Sequence, residues 1–229
     1  MAFRIETGII AVVSLTAGMA MGQSAPVQHR HLRHSGAGEL RVNEDGIAFV
    51  EKGKYAKHSR TWKYEGIQQL ELSDSSLRVL TYEDAKFTRW DREYLFDLPK
   101  DFAKTLYPQW KDKLDQRFVA AMADAEVSTL SEFPAKLTGL VKGVEGTLLF
   151  GEDRIVFRAA KPGESRTWRF ADIDNVASAG AFDFSIVTLE HHGTWNTGTR
   201  DFRFQLQRPM EEARFNELWR KVVRRSATN

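Results

Sequence analysis

Cysteine is missing from this chain of 229 residues. Its absence removes disulfides, thiolate metal sites and a lipidated N-terminal cysteine together, so packing and hydrogen bonding alone hold the fold. Nor is there a surplus of charge: 33 Lys plus Arg face 31 Asp plus Glu, and basic and acidic residues nearly balance in both 37–114 and 139–229. A protein that neutralises several phosphates carries a basic domain or stripe, which excludes nucleic acid as an expected partner. The short motifs of catalysis are missing too: no nucleophile elbow, zincin helix, phosphate-binding Gly loop or dinucleotide fingerprint occurs. His58 stands beside Ser59, but adjacent strand positions face opposite ways. The expectation is therefore no enzyme and no cofactor. A weak hydrolase, the second alternative, would require a deep pocket with convergent polar groups.

Long hydrophobic runs are also lacking. The apolar stretch Ile9–Met21 has 13 residues and is interrupted by Ser14 and Thr16, whereas a bilayer span takes roughly 20. With Arg4 ahead of it and the small residues Ala20 and Gly22 behind it, it reads as a secretory signal over 1–22. Cleavage after Gly22 is preferred, because a cut after Ala25 would leave Pro26 directly behind the scissile bond. The mature protein is then expected in a periplasm or outside the cell. Residues 23–36 read as a flexible lead-in closed by Gly36 and Gly38. His29, His31 and His34 form an H-x-H-x-x-H cluster that could hold a divalent metal. A solvated tether is the simpler reading, since no fourth ligand stands nearby.

What is present above all is a repeat. "SRTWKYEGI" at Ser59–Ile67 returns as "SRTWRFADI" at Ser165–Ile173, with Trp62 and Trp168 in one slot. Upstream, "GELRVNEDGIAFVEKG" from Gly38 matches "GTLLFGEDRIVFRAAKPG" from Gly146; downstream, "LRVLTYED" from Leu77 matches "FSIVTLEHH" from Phe184, and "YLFDLP" from Tyr94 matches "RFQLQRP" from Arg203. Duplication of one unit explains self-similarity of this length. Within a unit, Leu40 and Val42, Ile47 and Phe49, Leu77 and Val79, and Phe96 and Leu98 alternate with polar neighbours, the period of half-buried strands. "NEDG" at 43–46 and "GED" at 151–153 have hairpin-turn composition. The Trp side of the nonapeptide is expected to face inward.

Each unit closes on a helical pattern. The second, from Pro209, places Phe215, Leu218, Trp219 and Val222 on one stripe; the first places Phe102, Leu106, Trp110 and Leu114 at four-residue steps, with Pro108 predicted to kink or split it. The expected fold is mainly β with α: two units, each an open antiparallel barrel of short strands capped by a C-terminal helix. The divisions are 37–114 for repeat 1, 115–138 for a helical connector, 139–225 for repeat 2 and 226–229 for a tail.

This order of signals, G-x-L, a hairpin, W-x-[YF]-x-x-I, paired strands and a terminal helix bearing Trp, resembles the pleckstrin-homology-like superfold, in detail the GRAM and bacterial PH-like domains. The resemblance implies a binding or scaffold module rather than a catalyst. Phosphoinositide-binding relatives carry Lys and Arg across the first hairpin loop; here those loops, "NEDG" and "GED", are acidic.

Two constellations remain as candidate binding residues. Lys54, Lys57, Arg60 and Lys63 cluster with Lys52 in one connection and could draw anionic headgroups at ~1 kcal/mol per residue; the bland alternative is a charged hairpin tip that discourages edge pairing. Arg89, Trp90 and Arg92, and Trp195 and Arg200, mix an aromatic with Arg before the last strand of each unit, the composition of interface hot spots. The preferred reading is an exported interaction module for a protein or peptide of the cell envelope, with peripheral binding to an anionic membrane surface as the alternative. The sequence carries no signal of oligomeric state.

Overall fold

The computed structural model describes residues 22–30, 35–84, 91–115, 117–139, 142–191 and 198–226. Among them the chain is mainly β, with fifteen strands and two α-helices. The first set of strands is β1 (Gln23–Arg30), β2 (Ser35–Val42), β3 (Gly46–Glu51), β4 (Arg60–Lys63), β5 (Ile67–Ser73), β6 (Ser76–Asp84) and β7 (Asp91–Asp97), followed by α1 (Phe102–Trp110). A short strand β8 (Phe118–Ala121) intervenes. The second set is β9 (Ser131–Leu137), β10 (Val144–Phe150), β11 (Arg154–Ala159), β12 (Arg166–Arg169), β13 (Ile173–Ala177), β14 (Asp183–Thr188) and β15 (Arg200–Leu206), followed by α2 (Glu212–Ser226).

The strand order carries the repeat. It reads β13-β14-β15-β9-β10-β11-β12, then β8, then β5-β6-β7-β1-β2-β3-β4, the same permutation twice. All pairings are antiparallel except β5 with β8. The strands are not partitioned into two sheets: β8 lies parallel to β5 and antiparallel to β12, making one hydrogen-bonded succession. The apolar cores stay separate. One gathers Leu40, Ile47, Phe49, Trp62, Phe96, Leu106 and Trp110; the other gathers Leu148, Ile155, Phe157, Trp168, Phe204, Leu218 and Val222. Burying each such side chain contributes roughly 1.5–3 kcal/mol.

Equivalent positions have equivalent surroundings. Trp62 is paired with Ile47 and its ring lies 4.7 Å from Tyr94 and 6.2 Å from Phe96. Trp168 is paired with Ile155 and lies 4.9 Å from Phe202 and 6.0 Å from Phe204. Gly38 and Gly146 hold one slot, where a Cβ would fall 2.6 Å from the Val50 carbonyl oxygen and 2.3 Å from that of Arg158.

Several expectations are corrected. Residues 23–30 are not a flexible lead-in but β1, burying Ala25, Val27 and His29 in alternation against β2 and β7. His29 is 4% exposed and stacks on Phe96 at 4.9 Å, so it belongs to a core rather than a metal-binding tether; His31 and His34 lie outside the described residues. Nor is 115–138 a helical connector. It supplies β8 and all of β9; Phe118, Val119, Ala120 and Ala121 are all buried between neighbouring strands, and a strand covered on both faces shows no polar alternation. Each strand set therefore begins one strand earlier than its expected boundary.

The helices differ from expectation in two details. Pro108 does not split α1, which runs through it and ends at Trp110. In α2, Leu218 and Val222 are buried and Phe215 packs against them, but Trp219 is 43% exposed. One residue on from Leu218 is about a 100° rotation, which carries Trp219 off the core-facing stripe.

Candidate functional site

The join between the strand sets concentrates buried charge. Arg166, the first residue of β12, donates to Glu190 Oε2 at 2.6 Å, just beyond β14, and to Glu71 Oε1 at 3.0 Å on β5. Arg78, opposite Glu71 in the β5–β6 register, lies 2.7 Å from its Oε2 and donates to the His191 carbonyl at 2.9 Å. The Gln69 side chain closes the seam, donating to the His191 carbonyl at 3.1 Å and accepting its N–H at 2.8 Å. Arg200, the first residue of β15, stands 3.5 Å from Glu190 and 4.6 Å above the Phe202 ring, which Arg166 also overlies at 5.0 Å.

Three guanidinium groups thus surround Glu71 and Glu190, and Arg78 also lies 3.8 Å from Glu93. For Glu71, burial works to raise the pKa, but the charges of Arg166, Arg78 and Arg200 outweigh it and hold the carboxyl below the ordinary range. Arg200 is the most loosely paired of the three, 3.5 Å from Glu190: burial and then repulsion from Arg166 lower its pKa despite Glu190 and Glu71. An additional anion beside Arg200 would offset that repulsion.

Glu71, Arg166 and Arg200 of this cluster line a cleft of about 610 Å³, together with Ser73, Ser76, Ser165, Arg30, Lys142, Lys161 and Asp201. Arg30 is already paired with Asp97, and Lys161 with Glu164 at 2.7 Å. Ser73 Oγ accepts the Ser76 N–H at 2.9 Å and Ser165 Oγ accepts the Ala159 N–H at 3.1 Å. What the cleft can do chemically is offer guanidinium and ammonium donors to a carboxylate or phosphate. Among the described residues no group of three or more His, Asp or Glu is arranged to hold a metal.

The charged cluster has a smaller counterpart in the first strand set. Arg92 lies over Tyr94 at 5.2 Å and 3.8 Å from Glu83, to which the Tyr94 hydroxyl donates at 3.0 Å. Arg60 donates to the Ser59 carbonyl at 2.8 Å and also reaches Tyr94. Arg60, Arg92 and Glu83 thus occupy the slots of Arg166, Arg200 and Glu190. Of the candidate binding residues, the structure brings Arg60 and Arg92 together and places Arg200 in the buried cluster. Lys63 is exposed at the end of β4. The backbone of Lys54 and Lys57 forms a 3-10 turn, Gly53–His58. Arg89, Trp90 and Trp195 lie outside the described residues. Sequence reasoning missed Arg166, Glu190, Glu71 and Arg78. The first two were reachable, since Arg166 repeats Arg60 and Glu190 repeats Glu83; the last two are tertiary partners with no local signal.

A second set of contacts fixes β8 in place. Thr167 Oγ1 donates to the Met122 carbonyl at 2.9 Å and accepts the Asp124 N–H at 2.9 Å. The Asp124 carboxylate meets Arg154 and the Tyr107 hydroxyl. Arg169 donates to the carbonyls of Lys111, Leu114 and Asp115, each at 2.8 Å, capping the chain that leaves α1.

No protein-family model matches the chain, and no curated protein matches it. Solved structures give distant likenesses. The C-terminal domain of an unknown protein from Leishmania infantum aligns at 12% identity over 42% of this chain and 84% of that one, with a TM-score of 0.31. The Spt16D Pob3N heterodimer aligns at 13% identity over 73% of this chain and 83% of that one, also with a TM-score of 0.31.

Proposed function

We propose that the chain is a non-catalytic binding module built from two pleckstrin-homology-like units, which receives an acidic segment of a protein or peptide in the cleft between them. The repeated strand order, each set followed by a helix, supports the two-unit reading. The observation that carries the ligand reading is a loosely paired cation: Arg200, 3.5 Å from Glu190, stands partly desolvated beside Arg166 on the wall of a cleft that Arg30, Lys142 and Lys161 also line. A carboxylate arriving there gains charge-assisted hydrogen bonds and relieves the repulsion between the two arginines. Export fits the same picture: a cut after Gly22 would leave β1 whole, since it begins at Gln23.

Titration calorimetry of residues 23–229 with a short oligoglutamate peptide tests this reading. Binding should weaken as salt rises and should fall sharply in Arg200→Gln. No heat, or binding indifferent to Arg200→Gln, would refute the cleft. Salt-sensitive cosedimentation with anionic vesicles in place of peptide binding would transfer the function to a membrane surface.

A further inference from the structure

The repeat places one edge twice, once covered by a strand and once, among the described residues, without one. Strands β4 and β12 read R-T-W-K and R-T-W-R, and each pairs with the preceding strand in one register: Ala48 with Thr61 and Ile47 with Trp62, then Val156 with Thr167 and Ile155 with Trp168. On its other side β12 carries β8, with Thr167 opposite Ala120. The other side of β4 has no strand among the described residues, since β4 ends the strand order. The difference is visible at a single residue type: Thr167 is 6% exposed, whereas Thr61 is exposed.

We infer that the outer edge of β4 receives an extended segment of a partner protein, laid antiparallel as β8 is on β12. The covered copy defines the occupant. Its residues Phe118–Ala121 are apolar and mostly small, the Thr167 hydroxyl bridges the backbone of Met122 and Asp124, and the Asp124 carboxylate is taken by Arg154. In the open copy the slot of Arg154 is Gly46, and the cation at that corner is the exposed Lys63, whose register partner is Gly46. An occupant with a small apolar run followed by a carboxylate therefore matches both the backbone edge and its charge. A four-residue strand ending in Lys resists indiscriminate pairing; the same charge selects an acidic segment. The site is separate from the cleft and does not depend on it.

The probe is a peptide of this chain's own residues 117–125, added to residues 23–229. It should bind and slow amide exchange at Arg60–Lys63. An Ala120→Pro peptide, unable to complete the ladder, should lose binding, and an Asp124→Lys peptide should bind about tenfold more weakly, as expected for one charge-assisted contact. In the protein, Thr61→Val should weaken the peptide about tenfold, while Arg200→Gln leaves it unchanged, so failure here is distinguishable from failure of the cleft. No binding at millimolar peptide overturns the inference, as does protection confined to strands other than β4. A concentration-dependent dimer in which Arg60–Lys63 are already protected would assign the edge to a second copy of the chain and equally overturn it.

Discussion

Removing one hydroxyl from each of two equivalent threonines gives a direct measure of what β8 contributes. Thr167→Val keeps the shape of the side chain but takes away an oxygen that donates to the Met122 carbonyl and accepts the Asp124 N–H, both at 2.9 Å and both in buried surroundings. Valine can replace neither bond, so a carbonyl and an N–H are left without that partner where water has little access. Each such orphan costs about 1–3 kcal/mol, and partial relaxation brings the expected loss to roughly 2–4 kcal/mol. Thr61→Val makes the same chemical change at the same strand position, where the side chain is exposed; surface changes of this kind stay within about 0.5 kcal/mol. Urea denaturation of the two variants, followed by tryptophan fluorescence, reads the difference at constant composition. Equal losses would refute the reasoning, since they would mean that β8 does not distinguish the two edges.

Other variants probe the same architecture. Arg166→Gln leaves Glu71 and Glu190 short of their shared partner and should cost about 3–5 kcal/mol, whereas Arg200→Gln removes the most loosely paired cation, which also repels Arg166, and should leave the denaturation midpoint nearly unchanged. Gly38→Ala and Gly146→Ala each drive a Cβ against a backbone carbonyl oxygen and should each lose roughly 1–3 kcal/mol; a neutral result at either would break the equivalence of the two slots. Glu71 has a folded pKa held below its unfolded value by arginine charges that outweigh burial. Its contribution is therefore present above the unfolded value, about 4.3, and is lost as pH falls through the folded pKa. Glu71→Gln should be less stable than the parent at pH 7 and lose less on acidification, as urea midpoints at pH 7, 5 and 3 would register.

How much of this was legible in the sequence depends on whether a residue's role is local. The hairpins at 43–46 and 151–153 and the inward Trp62 and Trp168 follow from alternation and turn chemistry, and the structure has them. Strands β1 and β9 were legible but hidden. Pro26 and Pro134 occupy one slot, for Val27 pairs with Gly38 as Ala135 pairs with Gly146, and Ala25 with Leu40 as Phe133 with Leu148. Proline argues against a strand only where both sides of the ladder demand an N–H. Here β7 pairs with β1 only from Gln28 onward, and β15 with β9 only from Ala135, so at both prolines one side makes no such demand. The repeat therefore extends through "APVQH" and "FPAKL", and His29 stands where Leu137 stands, which is why an imidazole sits among aromatic rings instead of in solvent. Strand β8 was not legible at all. "FVAAMA" has the composition of a helix, and only the two edges on either side of it, one from each copy of the repeat, make it a strand. The duplicated unit left those edges to be filled; the segment that fills them at the join takes its conformation from its neighbours, which is the property that a peptide arriving at β4 would need to share.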